Sequence, residues 1–161
     1  WLLSTITGGT VCALLAGLFE ATLTESILVA FFLTMMLGLG ESISIQSMTV
    51  TVQTLHSTQP SIKWYLKNLL RESKTSFLLG ASCGVLVAVV VYLWKGQLLP
   101  TVVIGSSIVL VEVGAAFWGL SVPAVLHKTK LDPKLAAGPI TLALTDISTI
   151  LFYFGLATIL L

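Results

Sequence analysis

Long apolar runs separated by short polar segments constrain this chain more than any other feature. The runs extend roughly over residues 1–19, 26–55, 75–94, 100–126 and 139–161. A helix that crosses a bilayer needs about 20 mostly apolar residues, because the hydrocarbon layer is about 30 Å thick and a helix rises about 1.5 Å per residue. We therefore predict an all-α membrane protein with five transmembrane helices, which form a single domain over residues 1–161.

Charged residues are scarce, as this prediction requires. Only 9% of the 161 residues are charged, whereas about a quarter are charged in an ordinary soluble domain. The chain begins with Trp1, and its opening run lacks the basic segment and small-residue cleavage site of a signal peptide. We interpret that run as a true span of a longer or trimmed chain.

The basic residues are concentrated in two of the connecting segments. Seven of the eight lie there, namely Lys63, Lys67, Arg71 and Lys74 before the third run and Lys128, Lys130 and Lys134 before the fifth. By the positive-inside rule both segments are cytoplasmic, which places the N-terminus inside and the C-terminus outside. Because Ile62, Tyr65 and Leu66 recur at helical spacing beside the first four cations, we expect a short helix on the inner headgroups, with regulatory docking as the alternative.

Three carboxylates, those of Glu41, Glu112 and Asp146, lie within the apolar runs, and no basic residue does. An ionised acid at the centre of a membrane helix costs on the order of 2.5 to 3.5 kcal/mol. Such an acid is tolerated where it meets a partner, a wet cavity or a permeating ion. The acids are therefore either counter-charges for a passing cation or protonated groups that form hydrogen bonds between helices.

Helical spacing places polar residues near two of these acids. At 100° per residue, Asp146 shares a face of the last run with Gly138, Leu142, Thr145, Thr149 and Tyr153, a stripe that we expect to line water. In the second run Ser42, Gln46, Thr49 and Gln53 form another stripe beside Gly38, with Glu41 at its edge. This stripe must face protein or water. Glu112 has no polar neighbour at helical spacing, which favours a protonated or hydrogen-bonded acid.

Two local features predict the shapes of the second and the last helices. The second run is longer than a bilayer needs, so it predicts tilt, a kink or an unwound turn near Gly38 and Gly40. An unwound turn would present backbone carbonyls to an ion. Pro139 suits the first turn of the last helix, which would place Asp146 about two turns above the cytoplasmic end.

The residue types favour a hard, hydrated cation. Mg²⁺ is usually held by one or two carboxylates and keeps several waters, and the nearby hydroxyls and amides suit those waters. Cys12 and Cys83 lie in separate runs and are expected to be small core residues, so a thiolate site for zinc or copper is not expected. Because a two-fold axis would bring two copies of Asp146 together and match a dication, we predict a C2 homodimer.

Two segments carry a resemblance to a known family. DPKLAAGPITLALTDISTILFYF at residues 132–154 resembles the last helix of the MgtE-type magnesium transporters, and GLGESISIQSMT at 38–49 resembles their second helix. The resemblance implies five spans, a homodimer and a central pore lined by the second and fifth helices. It also implies that hydrated Mg²⁺ is held at Asp146 with the carbonyl of Leu142, and that Gly38 and Thr49 line the cytoplasmic part of the pore.

The chain also departs from the family pattern near the predicted pore. The family's Gly-Gly-Asn triplet reads Gly40-Glu41-Ser42 here, a further Asn is replaced by Ile45, and a polar residue before Pro139 is replaced by Gly138. These departures alter the inner pore and retain the central Asp.

Competing functions can be ranked from the same residues. A magnesium channel or channel-like transporter is the first hypothesis, and a proton- or Na⁺-coupled divalent cation exchanger, with Glu112 or Glu41 as the coupling acid, is the alternative. No hydrolase or metalloprotease motif is present, so the chain is not expected to be an enzyme. The expected partners are the lipid bilayer of the cell membrane, a second copy of the chain and the transported cation, with no nucleic acid.

Overall fold

The structure, a computed structural model, is helical throughout the residues that it describes. It describes the backbone of residues 2–55, 61–129 and 133–161, and the side chains of all of these except Glu25 and residues 133–136. The predicted basic residues Lys130 and Lys134 therefore lie outside the described side chains. The helices are α1 (Leu2–Leu18), α2 (Glu20–Glu25), α3 (Ile27–Leu55), α4 (Ile62–Lys95), α5 (Leu98–Lys128) and α6 (Pro133–Leu160).

The chain is a multi-pass membrane protein, and the residues that the structure describes are all-helical apart from short connections. Among the described residues, four helices are long and apolar enough to cross a bilayer: α3, α4, α5 and the Ala137–Leu160 part of α6. α1 is apolar and has 17 residues, which is at the lower limit for a span of the hydrocarbon layer. Four of the five predicted spans are thus confirmed, and the first stays a prediction.

The first half of α4 differs from the prediction. The basic segment does not form a separate helix on the headgroups, because α4 continues without interruption from Ile62 to Lys95 over 34 residues. Ser61 caps its start by accepting a hydrogen bond from the Trp64 backbone N–H at 3.1 Å. The polar residues Ser73, Lys74 and Thr75 lower the hydropathy but contain no helix breaker, so the helix runs through them. Its length, about 51 Å, exceeds the hydrocarbon thickness of about 30 Å.

One of the alternatives predicted for α3, the unwound turn, and the predicted start of α6 are wrong, whereas tilt or a kink of α3 stays a prediction. α3 is continuous from Ile27 to Leu55, so there is no unwound turn at Gly38 or Gly40. Pro139 lies inside α6, which begins at Pro133. Proline at the helix start lacks only an N–H that has no intrahelical partner, and Pro133 takes that place. Asp146 therefore lies about three and a half turns along α6 rather than two.

α5 is the central helix and packs against α3, α4 and α6. Its contact with α4 is close at Gly84 and Gly105, where a Cβ added to Gly84 would lie 2.5 Å from the carbonyl oxygen of Gly105. Small residues allow membrane helices to approach in this way and gain van der Waals contact. The main core cluster, which includes Met36, Ile104 and Phe154, fills the space where α3, α5 and α6 meet.

The first basic segment and the end of α5 lie at the same end of the bundle. The hydroxyls of Tyr65 in α4 and Ser121 in α5 form a hydrogen bond of 2.8 Å. Lys128 at the end of α5 and Ser61 before α4 border the same cavity. The structure therefore brings together the segments that the positive-inside rule assigns to one side of the membrane.

Candidate functional site

One polar face of α3 is directed into the chain, and we call it the inner polar face. It consists of Ser44, Ser47 and Thr51, which are buried. The Ser47 hydroxyl donates a hydrogen bond of 3.3 Å to the carbonyl of Ala116 in α5. A Cβ added to Gly119 would lie 2.6 Å from the Ser44 carbonyl oxygen, so the two backbones are close. This face was not predicted from the sequence, although its small residues at helical spacing are typical of close helix packing.

The opposite side of α3 carries the polar stripe that the sequence predicts, and we call it the outer polar face. Its members are Gly38, Ser42, Gln46, Thr49 and Gln53, all exposed. Thr49 donates its hydroxyl hydrogen bond to the Ile45 carbonyl of its own helix at 2.7 Å. A polar face on a membrane-spanning helix is unfavourable against lipid and is found facing protein or water. Exposure of this face is what a pore-lining helix requires, and the role of its residues in a pore stays a prediction.

The threonines near Asp146 do not lie where the sequence places them. Thr145 and Thr149 are 0% and 1% exposed, so they do not line water beside Asp146 on the surface of this chain. A Cβ added to Gly40 in α3 would lie 2.9 Å from the Thr149 hydroxyl and 3.3 Å from Thr145 Cγ2. They pack α6 against α3 because the small Gly40 leaves room for them. Tyr153, expected on the same stripe, is also buried and donates to the Val29 carbonyl at 2.8 Å.

The buried hydroxyls of this interface lack partners. Among the described residues, those of Thr141, Thr145 and Thr149 have no hydrogen-bond partner. A buried polar group without a partner costs about 1 to 3 kcal/mol. The buried hydroxyls of the α3–α6 interface are therefore less well satisfied by hydrogen bonds than those of the inner polar face of α3.

Asp146 lies beside this threonine row and is only partly buried. Its carboxyl group interacts electrostatically with the carboxylate of Glu41 on α3 and with the Cys12 thiol on α1. Glu41 is exposed, and Asp146 Oδ1 has no hydrogen-bond partner among the described residues. Two acids from two helices thus share one region next to the outer polar face, and no basic side chain of the described residues forms an ion pair with Asp146.

The remaining predicted groups of α6 lie one to two turns before Asp146. In a regular α-helix the Leu142 carbonyl accepts the Asp146 backbone N–H, and it keeps a second lone pair for another donor. A Cβ added to Gly138 would meet nothing within 4 Å, so the backbone is open at that position. The role of the Leu142 carbonyl in holding an ion stays a prediction.

Glu112 lies in a different part of the molecule. It is 1% exposed and lies at the α4–α5 interface, where its Cβ would be 3.5 Å from a Cβ added to Gly80. The Cys83 thiol of α4 interacts with its carboxyl group. This position agrees with the interpretation of Glu112 as an acid held between helices, and the structure does not bring it together with the outer polar face.

The described residues contain no group of three or more His, Cys, Asp and Glu side chains suited to hold a metal ion. The region around Asp146 offers two carboxylates and backbone carbonyls instead. Oxygen ligands of this number and type suit a hard divalent cation that keeps most of its water shell.

Sequence comparison relates this chain to known membrane transporters. A family model described as a divalent cation transporter, MgtE, matches residues 33–156, which include α3 from Leu33 and most of α6. The chain is 34% identical over 98% of its length to the magnesium transporter MgtE of Bacillus subtilis. It is 30% identical over its whole length to the magnesium transporter MgtE of Thermus thermophilus and 27% identical over 98% of its length to that of Enterococcus faecalis.

The matches cover nearly all of this chain but only 35% to 36% of each relative. The chain thus spans about a third of the length of the curated relatives that it matches. It belongs to the MgtE family of divalent cation transporters.

Proposed function

We propose that this chain forms the ion-conducting membrane domain of a divalent cation transporter, with Mg²⁺ as the transported ion. The observation that carries the proposal is the outer polar face of α3, which is exposed beside the carboxyl groups of Glu41 and Asp146. The family membership and the names of the relatives, which are magnesium transporters, support the same ion. A polar, acidic surface on membrane-spanning helices attracts cations and repels anions.

The pore would lie between two copies of the chain. A two-fold axis beside α3 and α6 would cover the outer polar face and bring two Asp146 carboxylates together, whose charge matches that of a dication. In this arrangement Gly38, Ser42, Gln46 and Thr49 line the pore. Thr145 and Thr149 support the site indirectly, because they fix α6 against Gly40 of α3.

The ion would pass Asp146 with most of its water. Mg²⁺ dehydrates reluctantly and prefers octahedral oxygen ligands. The Asp146 carboxylate and the Leu142 carbonyl would accept hydrogen bonds from its waters, and Glu41 would add a second negative charge nearby. Glu41 replaces a family glycine, so this chain would hold cations more strongly at that level of the pore.

Transport by the chain itself is tested in proteoliposomes. We expect uptake of Mg²⁺ into vesicles that contain only this chain, above the uptake of protein-free vesicles, with Mn²⁺, Co²⁺ and Ca²⁺ measured in parallel. Uptake that persists without a proton or Na⁺ gradient supports a channel-like route. Equal uptake by protein-free vesicles would contradict the proposal.

The two-fold pore is tested by cross-linking. Thr49 is exposed on the outer polar face, so Thr49→Cys should form a disulfide-linked dimer in bilayers. Thr145 and Thr149 are unsuitable probes because they are buried. Leu86→Cys on α4, a side chain that is 68% exposed, is the matched control and should stay unlinked. A chain that conducts as a monomer would overturn the shared pore.

The orientation that we propose places the basic end of the bundle in the cytoplasm and the C-terminus outside. A cysteine at Lys95, the last residue of α4, should react with an impermeant reagent added to intact cells. A cysteine at Lys67 should react only after the membrane is opened. Labelling of Lys67→Cys in intact cells would reverse the orientation.

A further inference from the structure

A polar groove separates α3 from α4 on the side of the bundle away from α6. Both helices pack on α5, but they make few contacts with each other. The groove between them has a volume of about 340 Å³. We call it the α3–α4 groove; its polar lining includes Gln46, Ser47 and Thr54 of α3 and Asn68, Arg71 and Glu72 of α4.

The lining combines one cation and one carboxylate that are not paired. Arg71 is exposed and Glu72 is half-buried, and among the described residues neither forms an ion pair. The Asn68 amide donates one hydrogen bond to the Trp64 carbonyl at 2.9 Å and keeps a second N–H. The groove therefore offers a guanidinium and an amide as donors and a carboxylate as an acceptor.

We expect the Arg71 end of the groove to lie at the depth of the lipid headgroups. The apolar part of α4 begins near Thr75, and Arg71 lies one turn before it, which is about 6 Å along the helix. The headgroup layer on each side of the hydrocarbon core is roughly 5 to 8 Å thick. Leu79, which also lines the groove, lies on the hydrocarbon side of Thr75, so the groove is continuous with the acyl-chain region.

Further cations lie next to the groove. Lys63, Lys67 and Lys74 are exposed and share one side of α4 with Arg71 at helical spacing. We call this surface, formed by the four residues, the cationic face of α4. Such a surface draws phospholipid phosphates towards the protein, and Arg71 is the member that also lines the groove. A guanidinium can bind a phosphate through two parallel hydrogen bonds.

From these observations we propose that the α3–α4 groove binds the headgroup of one phospholipid that carries both a phosphate and a primary ammonium group. The phosphate is bound by Arg71, with Asn68 as a second donor, and the ammonium group is bound by Glu72. The acyl chains leave the groove past Leu79. The groups proposed to bind the lipid, Arg71, Asn68 and Glu72, are all on α4 and outside the proposed pore, although Gln46 of α3 borders both sites.

The test is native mass spectrometry of the delipidated chain titrated with phosphatidylethanolamine. We expect one saturable lipid per chain, bound several times more tightly than phosphatidylglycerol, which lacks the ammonium group, or phosphatidylcholine, whose ammonium cannot donate. Arg71→Gln should weaken binding of phosphatidylethanolamine about tenfold. Glu72→Gln should abolish the preference for phosphatidylethanolamine over phosphatidylglycerol.

Lys63→Gln is the matched control, because it removes one charge from the cationic face of α4 without touching the groove. It should leave binding unchanged, whereas an equal effect of Lys63→Gln and Arg71→Gln would show general charge attraction and overturn the proposal. Arg71→Lys keeps the charge but cannot donate two parallel hydrogen bonds to the phosphate, so it should give intermediate affinity. This variant replaces Arg71→Gln in the test if Arg71→Gln fails to fold. A shift from dimer to monomer in Arg71→Gln, with lipid binding unchanged, would assign the groove to a second copy of the chain.

Discussion

The α4–α5 interface and the α3–α6 interface each hold an acid inside the membrane, but the acid is buried at the first interface and partly exposed at the second. At the α4–α5 interface the backbones approach through Gly84 and Gly105, and Glu112 is 1% exposed. At the α3–α6 interface the contact is made by threonine side chains against Gly40. Asp146 there stays partly exposed and interacts with an exposed second acid, Glu41.

The difference shows that an acid in an apolar run is not by itself an ion site. Glu112 is enclosed by two helices, so an ion could reach it only if they separated. Asp146 borders the outer polar face of α3, so an ion can reach it once that face lines water. Substitutions at the two acids therefore distinguish an enclosed acid from an accessible one.

Loss of the Asp146 charge should have the largest effect. Asp146→Asn keeps the size of the side chain and removes its charge, and we expect Mg²⁺ uptake to fall roughly 10- to 100-fold or more, by analogy with the loss of a metal-site partner. Uptake in proteoliposomes, at matched protein content and with dimerisation checked, is the measurement. Near-normal uptake would mean that Asp146 acts only as a hydrogen-bonding group.

Closing the space between Gly84 and Gly105 should destabilise the protein. Gly84→Ala would place a Cβ 2.5 Å from the Gly105 carbonyl oxygen, and we expect a loss of about 1 to 3 kcal/mol from such overpacking. Thermal unfolding in detergent measures it. Gly155→Ala, where a Cβ meets nothing within 4 Å, is the control and should be neutral or stabilising. Equal stability of the two variants would show that the helices do not depend on this close contact.

Glu41→Gln should have a moderate effect on ion binding. The carboxylate interacts with Asp146, and loss of a nearby charge in a wet environment is worth about 1 kcal/mol, or roughly fivefold. We expect the Mg²⁺ concentration for half-maximal uptake to rise by that factor. Glu20→Gln, which removes an exposed acid from α2, should leave it unchanged. A fall in this concentration for Glu41→Gln would show that Glu41 opposes ion binding.

Glu112→Gln should have the smallest effect. The Gln amide has the same shape as the Glu carboxyl group and can still form a hydrogen bond with Cys83. Mg²⁺ uptake should therefore remain within about twofold of the wild type. A tenfold fall in uptake with normal folding would bring the α4–α5 interface into the transport route. That result would support Glu112 as a coupling acid.

The amino-acid sequence was sufficient for the helical class, for four of the membrane spans and for the outer polar face of α3. These features depend on local chemistry, because a bilayer requires apolar runs of a given length and helical periodicity separates polar from apolar sides. The length of α4 was missed. Polar residues such as Ser73 and Lys74 signal the end of the membrane, whereas only a breaking residue or a cap signals the end of a helix.

The sequence by itself determined that α3 carries one continuous polar stripe, the outer polar face, and that Asp146 lies within an apolar helix. It did not determine which polar residues are buried, since Ser44, Ser47 and Thr51 have the same spacing as their exposed neighbours in the outer polar face. Tertiary structure decided this, because Gly119 of α5 leaves space for the inner polar face. In the same way Gly40 accommodates Thr145 and Thr149. Burial depends on the small residues of a partner helix, which no periodicity within one helix can reveal.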